Sequence, residues 1–120
     1  MFKRLMCLWM IAIPAAWGCS SSWPEPRQPL ADAEAAARSA HELGADALPE
    51  AKLKVTLAEE QIAAAKARMA DGDNERATYL LVRARADAEL ALALAHEQRA
   101  REDRQRAVDG SNLSATGVQP

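Results

Sequence analysis

Between Glu50 and Ala107 the sequence carries apolar residues at helical spacing, and the pattern breaks once, at Asp71-Gly72-Asp73. Before the break, Ala51, Val55, Ala58, Ile62, Ala65 and Met69 alternate at intervals of four and three, a strict heptad seam. Leu53 and Leu57 are read as widening that face, and Lys52, Glu59, Glu60, Lys66 and Arg68 as its solvated opposite side. After the break, Ala77, Leu80, Leu81, Ala84, Ala88, Ala91 and Ala95 form a second seam, flanked by Val82, Leu90 and Leu94. Gly72 permits a left-handed stop, and Asp73 or Asn74 can cap the next helix. So short a connection folds two helices back on each other as an antiparallel hairpin.

Alanine sets the character of the core. It fills 24 of the 79 positions from Leu30 to Val108. Alanine loses no side-chain entropy in a helix but buries little area. The expectation is a thin core with closely spaced helices. Aromatic content of 4% is too low for a β-sandwich, a barrel or an aromatic ligand pocket.

A shorter helix precedes the hairpin. Leu30, Ala33, Ala37 and Ala40 share one helical stripe within Leu30–Leu43, and Gly44 supplies the stop. The chain turns through Ala45-Asp46-Ala47-Leu48. Pro49 then suits the first turn of the second helix, predicted over Pro49–Ala70, and Glu50 suits the positive end of its dipole. The third helix is predicted from Asn74 or Glu75 to about Ala107, on the order of 50 Å long at 1.5 Å per residue. The second helix covers only part of it. Past Ala95 the apolar stripe gives way to charge, with Glu97/Arg101, Arg99/Asp103 and Glu102/Arg106 four residues apart as in a solvated helix. The expected fold is all-α, three-helix and coiled-coil-like, over residues 30–108, with residues 109–120 a disordered polar tail.

The N-terminal residues have a different logic. Lys3 and Arg4 precede an uncharged run of 13 residues, Leu5 to Trp17, too short to span a bilayer. Residues 1–18 therefore read as an export signal. The sequence Ala16-Trp17-Gly18-Cys19 resembles the processing site of bacterial lipoproteins, with Trp17 bulkier than that pattern usually carries. The resemblance implies a diacylglycerol thioether on Cys19, cleavage before it and acylation of the new amino group. Ser20, rather than aspartate, implies outer-membrane sorting. Residues 19–29 form a tether in which Pro24, Pro26 and Pro29 favour extended chain. Trp23 is either at the headgroup level or an exposed linker aromatic. Cys7 is an apolar filler of the signal, so no disulfide framework is expected.

Charge and site chemistry narrow the function. Without Lys3 and Arg4 the chain has 13 basic and 17 acidic residues, a net charge near −4 and a poor match to a phosphate backbone. No nucleic-acid partner is expected. His41 and His96 have no cysteine or second histidine at metal-ligand spacing and are expected at the surface. Arg83, Arg85, Arg99, Arg101, Arg104 and Arg106 interleave with Asp87, Glu89, Glu97, Glu102 and Asp103, which reads as a neutralised face. Tyr79 is expected to pack at the hairpin edge. No phosphate loop or nucleophile motif is present, so no catalytic residue, metal or cofactor is expected.

Through Met69-Ala70-Asp71-Gly72-Asp73-Asn74-Glu75-Arg76-Ala77 most strongly, and Ala86-Asp87-Ala88-Glu89-Leu90 second, the segment from Leu30 to Ala107 resembles an alanine-rich bacterial domain of unknown function, family 4398. Asn74 departs from the aromatic usual there. The resemblance implies cell-envelope lipoproteins with no known reaction. The expected function is thus a non-enzymatic, lipid-anchored protein of the outer membrane, facing the periplasm. It would act as a structural or adaptor element on an envelope protein or on a second copy of itself. The alternative is a periplasmic helical chaperone or ligand-binding module using the groove beside the first helix.

Overall fold

The computed structural model describes residues 22–117. The predicted signal at residues 1–18 and Cys19 lie outside the described residues, as do residues 118–120. The described chain forms three helices: α1 (Arg27–Glu42), α2 (Pro49–Ala70) and α3 (Asn74–Ala115). A single 3-10 turn, Ala45–Ala47, sits between α1 and α2. The architecture is the predicted one, an α2–α3 hairpin with α1 packed against both helices.

The stops and starts follow backbone chemistry. Gly72 adopts φ 77° after α2. The amide of Asp73 bonds the Arg68 carbonyl at 2.9 Å and that of Gly72 bonds the Met69 carbonyl at 3.0 Å, so freed carbonyls of α2 are satisfied as the chain reverses. Asp73 caps α3, its carboxylate accepting from the Arg76 amide at 3.3 Å. Gly44, at φ 90°, closes α1. Pro49 opens α2 where its missing N–H costs nothing.

Both ends of the helical domain extend beyond the sequence expectation. α1 begins at Arg27, not Leu30, so the tether is shorter than residues 19–29. Pro29 falls in the first turn, where amides have no intrahelical partner and proline is tolerated. α3 continues through residues assigned to a disordered tail, as far as Ala115. Local bonds accompany that extension: Gln105 donates to Asp109 at 2.9 Å, and the Ser114 hydroxyl to the Gly110 carbonyl at 3.0 Å.

The core is built from the two predicted seams plus α1. Of the 15 buried hydrophobic residues among those described, 12 are alanine; Val55, Ile62 and Leu81 are the larger ones. Such small contacts let the helix axes approach closely, so packing must be tight to contribute dispersion. Ala33, Ala37 and Ala40 bring α1 onto the hairpin. Leu30, Met69 and Leu80 close one end of the core, and Leu43, Leu48, Leu92 and Leu94 the other.

Three residues expected on the apolar faces are instead solvent-facing. Leu53 is 65% exposed and Val82 59%, and Leu90 is also exposed. At about 100° per residue, Leu53 points almost directly away from the seam positions Ala51 and Val55. Val82 and Leu90 each lie one residue from a seam position, and α1 covers only one of the two grooves of the hairpin.

Candidate functional site

One cleft beside α1, another at the hairpin turn and one uncovered helix end bring charged and apolar side chains together at the surface. The first cleft lies between α1 and α2 and encloses about 440 Å3. Its floor is Ala37, Ile62 and Ala63; Glu34, Arg38, His41, Glu59 and Lys66 line its sides. Lys66 pairs with Glu34 at 2.6 Å across it.

His41 joins three elements at the end of this cleft. Its Nδ1 lies 2.7 Å from Asp46 Oδ2 in the 3-10 turn, and its Nε2 lies 3.0 Å from Glu59 Oε1 on α2. Neutral imidazole has one N–H, so it can donate to only one of the two carboxylates; imidazolium donates to both. The hydrogen bond to Asp46 first, then that to Glu59, raises the His41 pKa above its ordinary 6.5, against a smaller opposing effect of burial. The ring is at the surface as expected, but sequence spacing does not reveal its pairing. Glu42, its sequence neighbour, is not a partner; Asp46 and Glu59 are brought in by the turn and by helix packing.

The second cleft lies at the hairpin turn and measures about 320 Å3. Arg68 at the end of α2 and Arg76, Tyr79, Leu80 and Arg83 in the first turns of α3 line it. Trp23 packs here. Its ring centroid is 6.1 Å from that of Tyr79 at a 50° tilt, and its carbonyl accepts from Asn74 Nδ2 at 3.0 Å. Tyr79 thus packs at the hairpin edge as expected, with Trp23 as its partner.

The third feature is the far end of α3. Ala95 is its last buried residue, and every residue from Arg99 to Gly117 is exposed. Glu97 pairs with Arg101 and Glu102 with Arg106 as anticipated. Asp103 pairs with Arg106 at 2.6 Å and not with Arg99. The neutralised arginine face is therefore partial. Arg85 bridges Glu89 at 2.6 Å and Asp32 of α1 at 3.3 Å, whereas Arg83, Arg99 and Arg104 have no ion-pair partner among the described residues.

His96 is exposed and distant in sequence from the His41 cluster. Among the described residues no group of three or more His, Cys, Asp or Glu side chains could hold a metal ion. No helix among them is long and apolar enough to cross a membrane. Cys19, the one predicted modification site, lies outside the described residues.

The family model described as Domain of unknown function (DUF4398) matches residues 28–107. No curated protein and no solved structure matches the chain. The match takes in all of α2, all but the first residue of α1, and α3 as far as Ala107, the charged stretch after Ala95 included. It includes the Gly72 turn and both alanine seams. With two-thirds of its sequence inside that match, the chain belongs to the DUF4398 family.

Proposed function

We propose that this protein is a non-enzymatic, lipid-anchored component of the bacterial cell envelope, acting as a structural or adaptor element through helix-mediated protein contact. Cys19 carries the lipid, and the outer membrane, on its periplasmic side, is the location. The anchor rests on the charged start, the short apolar run and Gly18-Cys19. The adaptor role rests on one observation: α3 continues from Asp103 to Ala115 with every residue exposed and no other element of the domain against it. That overhang is about 20 Å long at 1.5 Å per residue. Its exposed Val108 and Leu113 are apolar positions that a partner helix could cover.

Palmitate labelling in cells, followed by membrane fractionation, tests the anchor. Label should enter the wild-type protein and be absent from Cys19→Ala, and incorporation that persists in the variant rejects Cys19 as the lipid site. Photocrosslinkers at Val108 and Leu113 test the adaptor role. They should trap a defined envelope protein or a second copy, in contrast to a crosslinker at Glu60.

A periplasmic chaperone or ligand-binding role is the second reading. It is favoured by the α1–α2 cleft, whose apolar floor and charged sides suit a short amphipathic peptide, and whose volume lies in the usual range for ligand sites. Saturable peptide binding, lost in Ala63→Glu, would distinguish it from the adaptor reading.

A further inference from the structure

The turn end of the hairpin gathers features that are separate in the sequence. Arg68, Arg76 and Arg83 project from two helices into one cleft, together with Tyr79 and Leu80, and no carboxylate lines it. Asp73 reaches Arg76 at 3.5 Å from outside the cleft; Arg68 and Arg83 have no ion-pair partner among the described residues. Trp23 and Tyr79 are the aromatic residues of the described chain, and they sit together at this same end, Trp23 41% and Tyr79 57% exposed. Partly exposed Trp and Tyr beside guanidinium groups suit a boundary where one side is apolar and the other carries phosphate.

Chain connectivity points to the same end. Asn74 holds the Trp23 carbonyl at the turn. Cys19 is four residues before Trp23, so it lies within about 14 Å of that point, at no more than 3.6 Å per residue. The overhang of α3 is at the opposite end of the hairpin, because α2 runs back to Leu48 and Pro49 beside Leu94 and Gln98.

We propose that the cleft formed by Arg68, Arg76 and Arg83 binds the headgroup phosphates of an anionic phospholipid surface, with Trp23 and Tyr79 at the interface. The domain then stands on the membrane by its hairpin turn and carries the α3 overhang away from it. This assignment rests on the Cys19 anchor for its placement, and it names a second, non-covalent membrane contact. Guanidinium groups are attracted to an anionic leaflet over about a Debye length, and an anchor only four residues before Trp23 keeps this end of the domain near the surface where that attraction acts.

Arginine footprinting on the full chain tests it. The protein is purified from membranes, reconstituted into vesicles of phosphatidylethanolamine and phosphatidylglycerol, and treated with phenylglyoxal. Peptide mass spectrometry reads the modification rate at each arginine, and intact mass reads the lipid on Cys19. Arg68, Arg76 and Arg83 should react about tenfold more slowly than Arg99 and Arg104, the internal references at the far end of α3. Phosphatidylcholine vesicles should protect less, and Arg68→Gln with Arg83→Gln should release Arg76 while helical content is unchanged. Protection without lipid on Cys19 retains the headgroup contact and rejects the anchor. Lipid on Cys19 with all five arginines reacting alike rejects the headgroup contact and retains the anchor. Equal protection by inorganic phosphate in detergent, without vesicles, overturns the membrane assignment in favour of a free anion.

Discussion

Gln61 of α2 donates from Nε2 to Asp87 Oδ2 of α3 at 3.0 Å, across an interface otherwise made mainly of alanine and aliphatic side chains. Lys54 donates to the other oxygen of the same carboxylate at 3.3 Å. Gln61 is itself buried. One carboxylate thus ties two points of α2, about two turns apart, to a fixed height on α3, where an alanine seam alone would resist sliding weakly. Replacing Asp87 by alanine leaves the Gln61 amide without its acceptor, at a cost of about 1–3 kcal/mol. Urea unfolding should show a lowered midpoint. Gln61→Leu together with Asp87→Leu should recover part of the loss, since the buried pair is then removed and only Lys54, which is partly exposed, lacks its acceptor. A double variant no more stable than Asp87→Ala would mean the pair is not what sets the cost.

His41 predicts a pH dependence with a definite sign. Its folded pKa is raised by Asp46 and Glu59, so imidazolium is favoured in the folded state. The stabilisation is fully present below the unfolded value near 6.5 and is lost as pH rises through the higher folded value. Because the ring is about a third exposed, the contribution belongs to the surface-pair range, below about 1 kcal/mol. Melting temperature should therefore fall slightly between neutral and mildly alkaline pH. His41→Gln should flatten that slope, and NMR titration of the imidazole should place its pKa above 6.5. A value below 6.5 contradicts the doubly paired geometry.

The alanine seam makes opposite substitutions harmful for opposite reasons. Ala84 and Leu81 are both fully buried. Ala84→Leu adds volume at a fully buried seam position and should cost about 1–3 kcal/mol. Leu81→Ala removes the largest fully buried side chain and should cost about 2–5 kcal/mol. Chemical denaturation checks both. An Ala84→Leu variant more stable than wild type would show that the seam has room the structure does not have.

Two glycines should respond differently to alanine, although a new Cβ meets nothing within 4 Å at either. Gly72 has φ 77°, where an L side chain costs roughly 1–2 kcal/mol, so Gly72→Ala should lower the unfolding midpoint. Gly110 lies inside α3 with an ordinary helical backbone, where alanine is better by about 1 kcal/mol. Gly110→Ala should raise helical content by circular dichroism. It should leave the unfolding midpoint of the domain unchanged, because the overhang packs on nothing within it.

The helical periodicity, the Asp71-Gly72-Asp73 reversal, the Gly44 stop and the Pro49 start were legible in the sequence. Each is a local backbone or pattern effect, and each residue acts within a few positions of itself. Asp73 capping and the buried seams at Val55, Ile62 and Leu81 follow from the same local rules. The ends of the helices were less legible: Pro29 near the start of α1 and Asp109-Gly110-Ser111-Asn112 near the end of α3 are poor helix formers, yet they lie in helices already nucleated next to them. What only the tertiary structure decided are the groupings. His41 meets Glu59 because α1 packs on α2, Asp87 meets Gln61 and Lys54 because the hairpin has one register, and Trp23 meets Tyr79 because α1 starts beside the turn. Val82 and Leu90 are exposed because α1 covers only one groove of the hairpin, whereas Leu53 faces away from the seam by helix geometry alone. Periodicity specifies which side of a helix is apolar; it does not specify which neighbouring helix arrives, or how much of that side it covers.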